Sequence, residues 1–241
     1  MIKFSVFSIL ILILIFFLQN CTNSIKELQN LPTMTKDTLS AKDKKLFQQI
    51  QGFGVSTVSK KSARASISAL ELGKLQQGDI LLRKGYGAVS DFISDFLEET
   101  YPVTHCGFVL KYPDGKIYIL HIISDLDSNG VRTESLETYL NDSQKNTLAA
   151  VRLKANQPQR QAVLAEIYKL KAAGMKFDMG FNDHDSTDMY CAEMSRYVIQ
   201  KVMKKDVLPD RAQKIGIDVT RMSNFFAAAH FDIVFSQLPI Q

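Results

Sequence analysis

The sequence predicts an α+β domain behind an N-terminal export segment, and three observations carry that reading. Short apolar or β-branched runs of strand length are interspersed with stretches of helical periodicity. Two of the short runs flank Pro113-Asp114-Gly115, a hairpin turn that makes their strands antiparallel. The composition of the 241 residues, 46% hydrophobic and 22% charged with 12 Gly and 6 Pro, is that of a globular chain rather than a disordered or fibrous one. Its 29 basic residues are scattered and the formal charge is only +4, so no dense basic face for nucleic acid is expected. Three cysteines, Cys21, Cys106 and Cys191, are too few for a disulfide framework, and each needs its own explanation.

At the N-terminus, Lys3 precedes an apolar stretch from Phe4 to Leu18 that is interrupted only by Ser5 and Ser8. This is a charged n-region and an h-region, shorter than the roughly 20 residues of a spanning helix. The stretch ends at Leu18-Gln19-Asn20-Cys21, which resembles the lipobox of bacterial lipoproteins, where the thiol is acylated and the preceding peptide removed. Asn20 departs from the small residue usual at that place. Lipid attachment at Cys21, an uncleaved anchor and simple secretion are the three fates considered. All three put the domain outside the cytoplasm, and the first makes it a membrane-anchored lipoprotein of the cell envelope, facing the periplasm or exterior. Residues 1–20 are therefore assigned to a signal peptide or lipoprotein signal, 21–68 to a tether with an N-terminal helix, and 69–241 to the folded domain. Within the tether, Ser40 to Gln51 has the spacing of a short amphipathic helix with Leu46, Phe47 and Ile50 on one side.

The elements of the domain follow in order. Ile80-Leu81-Leu82 is a short strand after the Gly78-Asp79 turn, and Ser90 is placed as the N-cap of a helix reaching about Glu98. Cys106 to Tyr112 and Lys116 to Ile123 form the hairpin, its three-residue loop a type I turn closed by Gly115 in the left-handed conformation. Ala150 to Leu153 is another strand. Pro158 opens a helix with Val163, Leu164, Ile167 and Leu170 on one face, stopped by Gly174. Met189 to Met203 is a second clear helix, and Phe231 to Phe235 a closing strand.

Chemistry concentrates at two places. Cys191, Met194, Ser195, Val198, Ile199 and Val202 share one stripe of the second helix, which puts Cys191 in its first turn. Unpaired N–H groups and the macrodipole favour a thiolate there and can receive an oxyanion. A buried structural thiol fits the same position, and on the helix alone both readings stand. The hairpin adds a second clue. With Tyr112 opposite Lys116, Gly107 falls opposite His121, so His105 and His121 project from the same face one diagonal step apart. Gly107 leaves room for a ring or a substrate. Two imidazoles near a thiol supply a base and an orienting group for a Cys nucleophile. Cys106 alternates to the opposite face and is expected as core filling. Neither a Cys106–Cys191 disulfide nor a metal site on His105, His121 and a cysteine is favoured, since no close-spaced ligand pair supports the metal. No metal and no cofactor are expected. His184, among Asp183, Asp185 and Asp188, is assigned to a solvated loop, and His230 to a structural role.

Taken together, Gly78-Asp79-Ile80-Leu81-Leu82, Thr104-His105-Cys106-Gly107-Phe108, the Gly174 to Phe181 segment and Tyr190-Cys191-Ala192-Glu193 resemble, in that order, the circularly permuted papain-like hydrolases of the NlpC superfamily, the YaeF/YiiX-like group related to lecithin:retinol acyltransferases. The resemblance spans about residues 70–235 and implies an antiparallel sheet packed against helices. It matches Cys191 to the nucleophile, His105 to the general base and His121 to the third polar group. Glu is frequent at this third position in the group, whereas His is typical of the acyltransferase branch. Ala192 replaces a common Ser, and Glu193 is expected to be structural. The implied activity is that of an envelope-tethered cysteine hydrolase cleaving a peptide or acyl-amide bond through a Cys thioester. The alternatives are a lipid acyltransferase or lipase with the same Cys-His-His site, and a non-catalytic lipoprotein that binds peptide or lipid. The partners expected are a peptide, acyl-amide or lipid substrate and a membrane at the N-terminus. Metabolic labelling with a fatty-acid analogue is expected to mark the wild-type chain and not Cys21→Ser; equal labelling of both would reject lipidation at that thiol.

Overall fold

The order of elements begins with helix α1 (Ala69–Lys74), strand β1 (Ile80–Arg83), helix α2 (Ala88–Leu97) and strands β2 (His105–Lys111), β3 (Ile117–Ser124) and β4 (Asn129–Ser135). Helix α3 (Leu136–Asn141), strand β5 (Ala149–Leu153), helix α4 (Gln157–Ala172) and the short strands β6 (Lys176–Phe177) and β7 (Asp188–Met189) follow. The chain closes with helix α5 (Cys191–Met203), strands β8 (Arg211–Lys214) and β9 (Ile217–Thr220), a 3-10 helix at Met222–Phe226 and strand β10 (Phe231–Ser236). The computed structural model describes residues 64–86, 88–124, 129–183, 187–214 and 217–239. The export segment, Cys21 and the expected helix at 40–51 lie outside the described residues.

Six strands form one antiparallel sheet in the order β10-β5-β1-β2-β3-β4, with β6 and β7 as a small parallel pair and β8 and β9 as a hairpin. Alternation along each strand divides the buried side chains between two faces. On one face Ile80, Leu82, Cys106, Phe108, Leu110, Leu120 and Ile122 pack with Val163, Leu164 and Ile167 of α4 and Met194, Val198 and Ile199 of α5. On the other face Leu81, Val109, Ile119 and Ala150 pack with Tyr139 of α3 and Phe235 of β10. The sheet is thus covered on both sides, as the α+β reading requires.

Local sequence accounts for most boundaries. Ser68 and Glu71 form a capping box on α1, and Asn156 and Gln159 form another on α4, whose second residue is Pro158. Gly174 (φ +73°) follows α4 in the left-handed region, where a Cβ is disfavoured. The hairpin closes as expected: Tyr112 N–H donates to Lys116 O (2.9 Å), Gly115 has φ +82°, and the ladder runs from Phe108↔Leu120 to Lys111↔Ile117. That register keeps His105 and His121 on one face.

One expectation is corrected. Helix α2 begins at Ala88, so Ser90 is inside it rather than at its N-cap, and its hydroxyl bonds that of Thr104. Residues 129–141, unassigned from sequence, form β4 and α3. Strand β4 reads Asn-Gly-Val-Arg-Thr-Glu-Ser because it is a sheet edge, where charged and polar side chains discourage further pairing.

Gly107 has a specific packing reason. A Cβ there would lie 2.4 Å from Ile119 Cγ2 and 3.0 Å from His121 Cβ. The space that glycine leaves is thus taken by these two side chains of β3. Gly107→Ala is expected to destabilise the fold by about 1–3 kcal/mol and to lower the melting temperature by roughly 2–4 °C per kcal/mol, measured by thermal denaturation. An unchanged melting temperature would contradict this packing.

Candidate active site

Cys191 is the first residue of α5, entered from the extended Met189 and Tyr190. Tyr190 has β-region dihedrals, and its backbone N–H donates to the Glu193 carboxylate (3.3 Å), the structural use expected for that acid. The Tyr190 side chain makes no cap bond to the helix and is buried. Its hydroxyl donates to Asp183 and accepts from the Thr220 N–H (2.6 Å). Asp183 also accepts from the Thr220 hydroxyl (2.7 Å) and pairs with Arg211 (2.9 Å). The Asp183 side chain is therefore a buried anchor, whereas His184, assigned from sequence to a solvated loop, lies with 185 and 186 outside the described residues.

The site sits where β2 and β3 part. Val109 N–H donates to Asp79 O (2.7 Å), so odd-numbered N–H groups of β2 point at β1 and even-numbered ones at β3. The β2–β3 ladder stops at Phe108↔Leu120, although β3 continues to pair with β4 as far as Ser124. The Cys106 N–H therefore points into the fork, where it favours the Cys191 thiolate. Cys106 was expected on the face opposite His105 and buried, and it is both. It is more than filling, however. Its Sγ lies 3.4 Å from the Ser195 hydroxyl, which donates to Cys191 O (2.9 Å). Donation from the Cys106 thiol pulls the Cys191 thiol below its ordinary value against the opposing effect of burial, helped by the backbone N–H groups of Cys106, Ala192 and Cys191 itself. Burial and the neighbouring Cys191 push Cys106 well up, so Cys191 is the thiol that ionises first. Both cysteines are free.

On the other side of the fork His105 Nε2 and His121 Nδ1 are 2.8 Å apart, their rings edge to face. His121 is fully buried, and its Nε2 is 3.3 Å from Glu134 Oε1, close but poorly aligned for a hydrogen bond. The other carboxylate oxygen of Glu134 accepts from Arg132 (3.1 Å). The Tyr139 ring packs against both imidazoles, with the Arg83 guanidinium over it at 4.5 Å. Burial, reinforced by Arg83, holds His105 well below the usual imidazole range. Burial also lowers His121, opposed by Glu134. Burial alone would raise the Glu134 carboxyl, but His121, Arg132 and Arg83 keep it below its ordinary value. Both histidines are neutral near pH 7 and Glu134 is ionised.

The structure thus joins His105 to His121, and joins Cys191 to Cys106, the residue bonded to His105 along the chain. Among the described residues no hydrogen bond links Cys191 Sγ to the His105 ring. Glu134 was not singled out from sequence. It lies in a polar run that carries no pattern until the β3–β4 register sets His121 opposite Arg132.

A small apolar recess lies beside Cys191, lined by Ile93, Leu97, Phe181, Val219 and Met222 with Thr104 and Thr220. It lies between α2, the start of α5 and the β8–β9 hairpin. Among the described residues no three His, Cys, Asp or Glu side chains are grouped to hold a metal ion, and no helix is long and apolar enough to cross a membrane.

Comparison with known proteins agrees with this architecture. A family profile described as permuted papain-like amidase enzymes, YaeF/YiiX, C92 family, matches residues 74–226. Among solved structures, the fold is similar to the crystal structure of metalloprotein YiiX from Escherichia coli O157:H7, with TM-score 0.54 and 16% identity, covering 69% of this chain and 99% of that one. Comparison with curated proteins finds no match. That neighbour is described as a metalloprotein, but the donor groups among the described residues here do not assemble a metal site.

The thiol pair has a measurable consequence. Removing the Cys106 donor takes away the largest influence lowering Cys191, so Cys106→Ala is expected to move the pH profile of Cys191 alkylation by iodoacetamide to higher pH. Cys106→Ser keeps a donor and is expected to stay closer to the wild type. Coincident profiles for all three proteins would show that Cys106 does not act on Cys191.

Proposed function

Because the chain belongs to the permuted papain-like amidases of the YaeF/YiiX type, and is thus a cysteine hydrolase of amidase type, we propose that Cys191 is its nucleophile, His105 its base and His121 the group that orients His105. The observation that carries the reading is the fork between β2 and β3. A thiol held by N–H donors at a helix start meets there the strand that bears a buried, hydrogen-bonded pair of imidazoles. His105 takes the S–H proton as Cys191 attacks the carbonyl carbon of the amide. The Cys191 N–H, at the positive end of α5, is the donor proposed for the oxyanion. The C–N bond then breaks, His105 returns the proton to the amine, and a thioester remains on Cys191. Water, deprotonated by His105, cleaves the thioester and releases the acid.

Phe181, Leu97 and Met222 beside Cys191 favour an apolar acyl portion over a charged one. The substrate class proposed is a peptide or acyl-amide with such a group next to the scissile bond. The same recess supports a second reading, transfer or hydrolysis of a lipid acyl chain by the same three residues. For either reaction the N-terminal segment, lipidated at Cys21, tethers the domain at the cell envelope close to membrane-associated substrate.

Turnover of an N-acyl-amide by the full chain is expected to fall at least about a thousandfold in Cys191→Ala and in His105→Ala. Acid quenching of the wild type is expected to leave one acyl group on Cys191, read by mass spectrometry. Unchanged turnover in Cys191→Ala, with no acyl adduct, would overturn the proposal. Faster acylation by phospholipid vesicles than by acyl-amides and peptides would select the lipid reading.

A further inference from the structure

We propose that Glu134 is a positioning residue of this site, which sets the tautomers of His121 and His105 in series and leaves the lone pair on His105 Nδ1 as the one not engaged within the imidazole pair. The inference rests on the assignment of His105 as base, and it extends that site by one strand. Strand β4 follows β3 from Tyr118↔Ser135 to Ser124↔Asn129, so Arg132 lies opposite His121 and Glu134 lies one diagonal step away on the same face. The Glu134 side chain is 8% exposed and that of His121 is 0% exposed. At 3.3 Å, His121 Nε2 and Glu134 Oε1 face each other with no room for a water between them.

The assignment is a matter of counting protons. An ionised carboxylate only accepts, so the His121 nitrogen that faces it, Nε2, carries the hydrogen. A neutral imidazole has one such hydrogen, which leaves His121 Nδ1 as an acceptor. The 2.8 Å contact between that atom and His105 Nε2 then needs a hydrogen on His105 Nε2. His105, also neutral, is left with a lone pair at Nδ1. When the S–H bond of Cys191 breaks and an N–H bond forms at His105 Nδ1, the imidazolium keeps its donation to His121. Its charge is balanced through His121 by Glu134, and no second proton moves.

The charged and titratable groups facing this pair are Arg83 from β1, Arg132 from β4 and Tyr139 from α3. They admit a rival role for Glu134, which is to neutralise Arg132. The experiment separates the two. Nitrogen-15 NMR of imidazole-labelled full-length protein is expected to show His105 and His121 both as Nε2–H tautomers, each with one bare and one protonated nitrogen resonance. Glu134→Gln keeps size and shape and is expected to lose that pattern at His121 and, through it, at His105. Arg132→Gln combined with Glu134→Gln is expected not to restore it. Tautomers unchanged in Glu134→Gln, or restored in the double variant, would overturn the proposal. The measurement is repeated in Cys191→Ala. Tautomer control by Glu134 stands or falls there independently of whether Cys191 is the nucleophile.

Discussion

The parting of β2 and β3 after Phe108↔Leu120 is the constraint on which the site depends. A continued ladder would bond the Cys106 N–H to β3 and carry the two strands together past His105 and His121. Because it stops, the Cys106 N–H is free to meet the Cys191 sulfur from one face of the sheet. The two imidazoles bond each other on the other face. Gly107 sits at the point of divergence, where Ile119 and His121 occupy the volume its side chain would need. Strand separation and side-chain crowding are thus two aspects of one local arrangement.

Burying such a polar group within the sheet is unfavourable unless its members satisfy one another. His121, fully inaccessible, contacts His105 on one nitrogen and Glu134 on the other. Arg83 is stacked on Tyr139 and donates to the Asp142 carbonyl, and the Tyr139 hydroxyl donates to Leu81 O (2.9 Å). Helix α3 therefore both packs on this face and brings an aromatic ring and the backbone acceptor of its C-cap to a cluster of charges. The opposite face is handled differently. There the polar atoms are few, and the thiols of Cys106 and Cys191 share the Ser195 neighbourhood within an apolar core.

Much of this was legible in the sequence because it is local. Pro113-Asp114-Gly115 determines a loop length, the loop length determines a register, and the register places His105 and His121 on one face. Cys191 at a helix start followed from the stripe through Met194, Val198 and Ile199. Glu134 and Asp183 were not legible, for a common reason. Each acts across strands or loops distant in sequence, and each lies among polar residues whose pattern matches an exposed segment. Strand β4 was hidden similarly, since an edge strand has little apolar alternation to reveal it. Cys106 was placed correctly but undervalued, because alternation gives a face and not the partner across it.

The tie from Tyr190 to Asp183 and Thr220 joins two parts of the molecule that meet a substrate in different ways. Tyr190 precedes Cys191, the proposed nucleophile, whereas Thr220 ends the hairpin whose Val219 lines the recess beside it. One hydroxyl couples them, so the proposed acyl site and the proposed nucleophile are held in a common frame. On that proposal selectivity and reactivity are not independently adjustable: reshaping the hairpin to admit a different chain also re-aims the sulfur.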